Sequence, residues 1–205
     1  LEKDPRFVQA HLGVSAVYIR SATSGFTRPG EVWPRAEAEL EKVLALDPGN
    51  VVARCSFATL RLIVQWDWTF AERQFAELVD DPGILVGDGF RGIALFLWGT
   101  GRANDAVALL ERALRVDPGS LETRVNLADS LANAGRLDEA IGQYRSLVEA
   151  EPTFASPRFG LADALKRRGD VAAAIESLRK AYELADEPVG SKALASARTV
   201  QDYER

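Results

Sequence analysis

Apolar residues recur three and four apart in paired runs along most of the chain, and a glycine divides each pair. Between Leu121 and Pro152 the pattern reads Leu127, Ala128, Leu131, then Gly135, then Ala140, Tyr144 and Leu147. The stretch before it reads Ile93, Ala94, Leu97, Gly101, Ala106, Leu110 and Ala113. The stretch after it reads Leu161, Ala162, Leu165, Gly169, Ala174, Leu178 and Ala181. Spacing of three and four places such residues on one face of a helix. Each stretch therefore predicts two amphipathic helices joined at a glycine. Gly101, Gly135 and Gly169 fall where a left-handed residue would close the first helix. Asn104, Asp138 and Asp170 follow them, suited to the start of a second helix.

A second signal marks the unit boundaries. An acidic residue precedes proline at Asp4-Pro5, Asp47-Pro48, Asp81-Pro82, Asp117-Pro118, Glu151-Pro152 and Glu187-Pro188. The intervals between these prolines are 43, 34, 36, 34 and 36 residues. Proline cannot continue a helix, so each one ends a second helix and opens the next unit. Ala94, Ala128 and Ala162, with Ala106, Ala140 and Ala174, supply small residues where the paired helices approach closely. Units of this length, each unable to bury its apolar face alone, stack into an all-α, α-solenoid fold of antiparallel helix pairs.

The segment Gly135-Arg136-Leu137-Asp138-Glu139-Ala140-Ile141, with Tyr144 and Pro152, closely resembles the tetratricopeptide-repeat (TPR) signature. The resemblance repeats in phase over nearly the whole chain. It implies about five TPR units in one domain spanning 1–205, wound as a right-handed superhelix, with a non-catalytic, protein-binding role. A narrower resemblance rests on Trp66-Asp67-Trp68 followed by Ala71-Glu72-Arg73-Gln74-Phe75. It looks like a variant repeat in the TPR arrays of multidomain bacterial signalling and transcription-regulator proteins. There the array controls an attached DNA-binding, cyclase or kinase domain.

The repeats are expected at about 5–48, 49–82, 83–118, 119–152 and 153–188. Residues 189–205 would form a capping helix or the first helix of another repeat. Leu1 to Asp4 reads as the last turn of an upstream second helix. In repeat one, helices near 6–20 and 33–46 flank an insertion, Ser21 to Gly30, rich in turn residues. Repeat two replaces the usual glycine turn with Trp66-Asp67-Trp68.

Composition narrows the function classes. Apolar residues make up 47% and charged residues 27% of the chain, as in proteins that bury a core. A net charge of −5 argues against general nucleic-acid binding, which calls for a basic surplus. No apolar run reaches the roughly 18 residues of a membrane span. The expected compartment is the cytoplasm. Cys55 is the single cysteine, so no disulfide forms within the chain.

Residues that suggest chemistry have plainer explanations. Gly87-Asp88-Gly89-Phe90-Arg91-Gly92 spells G-x-G-x-x-G, but a dinucleotide site needs that motif between a strand and a helix. His11 is the only histidine and stands where the family places a large core residue. Asp138-Glu139 and Lys166-Arg167-Arg168 carry the charges that a helix start and a helix end favour. Trp66 and Trp68 read first as rings plugging a turn without glycine, and second as surface anchors for a partner. No catalytic residue, metal ligand or cofactor site is assigned.

The binding surface follows from the resemblance. In a TPR superhelix the first helices line the concave groove. The matching positions include Arg91, Leu95 and Trp98 in repeat three. They include Glu122, Val125, Asn126 and Asp129 in repeat four, and Phe159 and Asp163 in repeat five. Asn126 falls where many TPRs bond a ligand's backbone. Leu95, Trp98, Val125 and Phe159 would give an apolar floor, and Arg91, Asp129 and Asp163 polar fixing points. For any single position, packing or solvation is the commoner role. A clamp for a chaperone's C-terminal carboxylate is not expected, because Ser156 and Gly160 occupy its basic positions. The expected partner is a protein or peptide, with self-association through exposed solenoid ends as a second mode.

Overall fold

The computed structural model of the protein describes residues 7–23, 28–85 and 89–185. These form ten α-helices and one short 3-10 turn: α1 (Val8–Thr23), α2 (Pro29–Leu46), α3 (Val51–Gln65), α4 (Trp68–Leu78), the turn Pro82–Leu85, α5 (Gly89–Gly99), α6 (Ala103–Val116), α7 (Leu121–Asn133), α8 (Leu137–Ala150), α9 (Ser156–Arg168) and α10 (Val171–Leu184). There is no strand among the described residues. The chain divides into two compact units, Leu1–Phe96 and Leu97–Arg205.

In the first unit α1 packs on α2, α2 on α3, and α3 on α4. The core joins Ala36, Leu40 and Val43 of α2 to Ala53 and Leu60 of α3, with Val8, Leu12, Tyr18 and Ile19 of α1 laid against them. Burying a leucine such as Leu40 contributes about 1.5–3 kcal/mol. Phe96 joins this unit through α4, its ring centroid 5.6 Å from that of Phe75 and 6.0 Å from that of Trp68. In the second unit α6 packs on α7, α7 on α8, α8 on α9, and α9 on α10. Ile141, Tyr144 and Leu147 of α8 are fully buried there.

At three of the four described acidic–proline pairs the acidic residue caps the preceding helix; at Asp81-Pro82 it does not, because α4 already ends at Leu78 with Val79 as its cap. Asp47, Asp117 and Glu151 cap α2, α6 and α8 with their backbone N–H groups still bonded four residues back. The glycine turns are left-handed, with φ of 74° at Gly101, 79° at Gly135 and 97° at Gly169. In each, the N–H after the glycine donates to the carbonyl five residues earlier: Arg102 to Leu97, Arg136 to Leu131 and Asp170 to Leu165.

Asn104, Asp138 and Asp170 stand at the starts of α6, α8 and α10, as expected, but none of them makes a side-chain cap. Asn104 and Asp138 lie inside the first turn of α6 and α8, and the capping positions fall to Arg102 and Arg136. Neither arginine caps. Each instead grips the carboxylate three residues on: Arg102 Nε lies 2.7 Å from Asp105, and Arg136 Nε 2.6 Å from Glu139. Side-chain caps occur at Asn50, Asp67 and Ser120, which accept from the N–H groups of Ala53, Phe70 and Thr123. The loop of repeat one is also shorter than expected, because α1 runs to Thr23 and α2 begins at Pro29. Proline at that first position lacks only an N–H that a helix start leaves unpaired. Asp4-Pro5, Glu187-Pro188 and residues 189–205 lie outside the described residues.

The turn at Trp66 is the exception within the fold. Trp66 takes the left-handed conformation itself, at φ 56°. Its indole is 72% exposed and therefore plugs nothing. Asp67 fixes the turn instead. Its carboxylate accepts from Phe70 N–H at 3.1 Å and from Arg61 at 2.9 Å. Trp68 is the ring that packs, against Phe96.

Candidate functional site

The first helices α7 and α9 touch each other within the second unit. They carry six of the nine candidate residues. On α7, Glu122 is exposed while Val125, Asn126 and Asp129 are half-buried. On α9, Phe159 is half-buried and Asp163 exposed. Trp98 ends α5 on the same unit, whereas Arg91 and Leu95 belong to the first unit and are exposed.

Three candidates hold the unit together. Trp98 Nε1 donates to Ser130 Oγ at 3.0 Å, and that hydroxyl donates to Asn126 O at 2.8 Å. Trp98 thus reaches from the end of α5 to α7 through its ring N–H. Tyr144 of α8 donates its hydroxyl to the Asp129 carboxylate. Burial, and then the Asp129 charge, push the Tyr144 phenol well above its ordinary range. Asp129 is therefore engaged as an internal acceptor. Phe159 meets Tyr182 of α10 edge-on, at 5.3 Å and 84°. Such pairs add about 0.5–1.5 kcal/mol beyond area burial.

The remaining positions on these helices face outward or hold unmet bonding capacity. Asn126 Nδ2 is buried and has no hydrogen-bond partner. An unmade bond of this kind costs about 1–3 kcal/mol. Asp163 lies 3.6 Å from Arg167, an exposed pair one helical turn apart. Arg167 also donates to the Ala132 carbonyl at 2.6 Å, which binds the end of α9 to α7. Arg168 lies 3.1 Å from Asp138 and 3.2 Å from Asp170. The basic run at 166–168 is thus partly committed to packing.

The other polar candidates resolve as structural. His11 is 3% exposed and bonds through Nδ1 to Glu39 of α2. The Lys42 ammonium, then His11, hold the Glu39 carboxyl below its ordinary range. Cys55 is buried, and desolvation pushes its thiol up to about 12. Gly89 opens α5 without a strand before it among the described residues, and Gly92 is pressed against Thr59. No group of three or more His, Cys, Asp or Glu among the described residues could hold a metal. No described helix is long and apolar enough to cross a membrane.

Two contacts escaped sequence reasoning. Ser130 reads as a polar interruption of α7, yet it is fully buried between Trp98 and the helix backbone. Gly160 reads as a poor helix former, yet it makes room for Tyr144: a Cβ there would stand 2.5 Å from the ring. The signal available was a glycine on a helix face opposite an aromatic residue.

The molecule is a helical-repeat protein, an α-solenoid of antiparallel pairs whose first helices display outward-facing side chains. The repeats of its second unit match models of the tetratricopeptide-repeat (TPR) family, at residues 97–153 and 155–188, and repeats of this family serve as protein–protein interaction scaffolds. Solved structures agree on the fold. TTC0263, a thermophilic TPR protein of Thermus thermophilus, superposes with a TM-score of 0.68 at 20% identity, covering 90% of this chain and 95% of that one. PilW, a type IV pilus biogenesis factor, gives 0.67 at 18% identity, covering 95% and 80%. YrrB, a TPR protein with an unusual peptide-binding site, gives 0.55 at 21% identity, covering 93% of each chain. Identities this low carry the fold alone. No curated protein matches the sequence.

Proposed function

We propose that the protein is a non-catalytic interaction scaffold that takes a peptide or helix of a partner protein across α7 and α9. The observation that carries this reading is the unpaired amide donor of Asn126. It stands on α7 with Val125 beside it and Glu122 one turn away, and α9 brings Asp163 on the neighbouring first helix. Because the amide nitrogen is buried, a bound segment meets it only once the Asn126 side chain turns outward, and a carbonyl placed there then supplies a hydrogen bond worth about 0.5–1.5 kcal/mol. Val125 supplies apolar contact, while Glu122 and Asp163 favour a ligand with basic side chains. Both an extended strand and an amphipathic helix fit this combination. The peptide-binding site of the similarly folded YrrB is consistent with such a use of the fold.

The test is selection of a displayed peptide library on the chain, followed by titration of the winners against Asn126→Ala and Glu122→Lys. Loss of affinity by about tenfold in either variant, with helicity unchanged, supports the reading, since one recovered bond is worth about 1–1.5 kcal/mol. Winners that bind both variants as they bind the wild type refute it.

A further inference from the structure

The sixth residue after the proline is basic in four repeats: His11 after Pro5, Arg54 after Pro48, Arg124 after Pro118 and Arg158 after Pro152. Each stands on a first helix packed against the second helix of its own repeat. What that second helix offers differs. His11 meets the carboxylate of Glu39 on α2. Arg54 meets two acceptors on α4: its Nε donates to Gln74 Oε1 at 3.1 Å, and its Nη2 to the Glu77 carboxylate. Arg124 donates to the Ser146 hydroxyl of α8 at 3.1 Å and finds no carboxylate among the described residues.

Arg158 is the extreme case. Its Nε is buried without a hydrogen-bond partner, and its Nη2 reaches the Pro152 carbonyl at a long 3.4 Å. Register supplies the reason. Glu77, Ser146 and Lys180 each stand one residue before a buried residue in the last turn of their helix, respectively Leu78, Leu147 and Ala181. Where Arg54 has a carboxylate, Arg158 therefore has a second cation. Ser177, one turn before Lys180, donates its hydroxyl to the Arg158 carbonyl at 3.0 Å, so this face of α10 does lie against Arg158. Lys180 is exposed, and its contact with Glu176, at 3.8 Å, is shared with Arg179, which lies 2.5 Å from the same side chain. A guanidinium offers its Nε–Nη2 edge as a planar fork that matches an oxyanion. In repeat two the chain fills that edge itself. In repeat five the edge is open.

We propose that Arg158 and Lys180 form a seat for a carboxylate of a partner protein, an aspartate or glutamate side chain taken at the edge where α9 begins and α10 ends. The carboxylate draws the guanidinium outward from its buried place and gives up only the long bond to Pro152. Arg124 stands in the same register on α7, which α9 touches, so a second acidic side chain on the partner gains a further contact. The whole chain carries a net charge of −5, so an acidic ligand depends on this local cluster rather than on the overall field. The seat uses none of the residues assigned to partner binding above, and its charge is opposite to that of Glu122 and Asp163.

The probe is a hexaglutamate peptide with blocked ends, titrated into the nitrogen-labelled chain at about 0.15 M salt, where charges more than about 8 Å apart are largely screened. The expected result is a saturable shift of the Arg158 Nε–H signal that exceeds the shift at every other arginine. Arg158→Lys keeps the charge and loses the fork, and Lys180→Glu installs the acid that repeat two carries. Each should weaken binding by at least about fivefold, read from the backbone amides of α9 and α10, while Arg145→Gln on α8 changes it by less than about twofold. An Arg158 signal that stays in place throughout the titration overturns the proposal. Equal weakening by Arg145→Gln also overturns it, by reducing the binding to diffuse attraction. So does an equal Arg158 shift with inorganic phosphate at the same concentration and ionic strength, which assigns the seat to a small anion.

Discussion

The turns of the second unit and the turn at Trp66 in the first perform the same task with different materials. At Gly101, Gly135 and Gly169 a residue without Cβ takes the left-handed conformation, and the following N–H reaches back five residues. At Trp66 a bulky residue takes that conformation, which costs a non-glycine residue roughly 1–2 kcal/mol. The N–H of Asp67 then reaches back six residues, to Arg61, at 3.2 Å. What holds the wider turn is side-chain chemistry: Asp67 caps α4 and pairs with Arg61, and the Arg61 guanidinium lies 5.2 Å from the centre of the Phe70 ring. Backbone freedom closes the regular turns, and a polar clasp closes the irregular one.

The largest effect expected contrasts the two glycines on first-helix faces. Gly160→Ala should lower stability by about 1–3 kcal/mol, because Tyr144 is 1% exposed and tied to Asp129 and cannot swing aside. Gly13→Ala should lose nothing, since nothing lies within 4 Å of where its Cβ would be, and gain up to about 1 kcal/mol in helix propensity. Denaturant titration of the two variants measures both signs, and equal losses would erase the distinction. Next in size is the clasp itself. Asp67→Ala should cost about 0.5–2 kcal/mol as a lost cap, whereas Asp170→Ala, whose side chain makes no capping bond, should cost less.

A reciprocal exchange tests the turn backbone. Gly135→Ala should destabilise by roughly 1–2 kcal/mol, and Trp66→Gly should stabilise by a similar amount, since the exposed indole has little packing to lose. Loss of stability in Trp66→Gly would mean that the ring is held by contacts this account omits. The smallest effect is electrostatic. The Glu39 carboxyl is lowered by Lys42 and His11, so its contribution is complete above the ordinary carboxylate value and fades as pH falls through its lower native value. The melting difference between wild type and Glu39→Gln should therefore shrink on acidification below about pH 4.5.

The repeat was legible in the sequence because proline, glycine and alanine act through backbone geometry that local order dictates. Asp47, Asp117 and Glu151 end their helices, and Gly101, Gly135 and Gly169 turn left-handed, where the pattern places them. The candidate surface was legible only by position. Position on a first helix does not distinguish Asn126, with an unmet donor, from Asp129, consumed by Tyr144, or Trp98, consumed by Ser130. Those assignments depend on which side chain of the next helix arrives opposite, a matter of tertiary contact. The family models and solved structures carry the repeat and its fold, and they add nothing to the narrower likeness to bacterial signalling arrays.

The central claim is that a partner segment binds across α7 and α9, and the most direct measurement is amide chemical-shift mapping of the labelled chain with a selected peptide. The account predicts that perturbations concentrate on α7 and α9 around Glu122, Val125, Asn126 and Asp163, and that the Asn126 side-chain amide signals shift on binding. Perturbations confined to the second helices α8 and α10, or to the turn at Trp66, with the Asn126 amide unmoved, would contradict it.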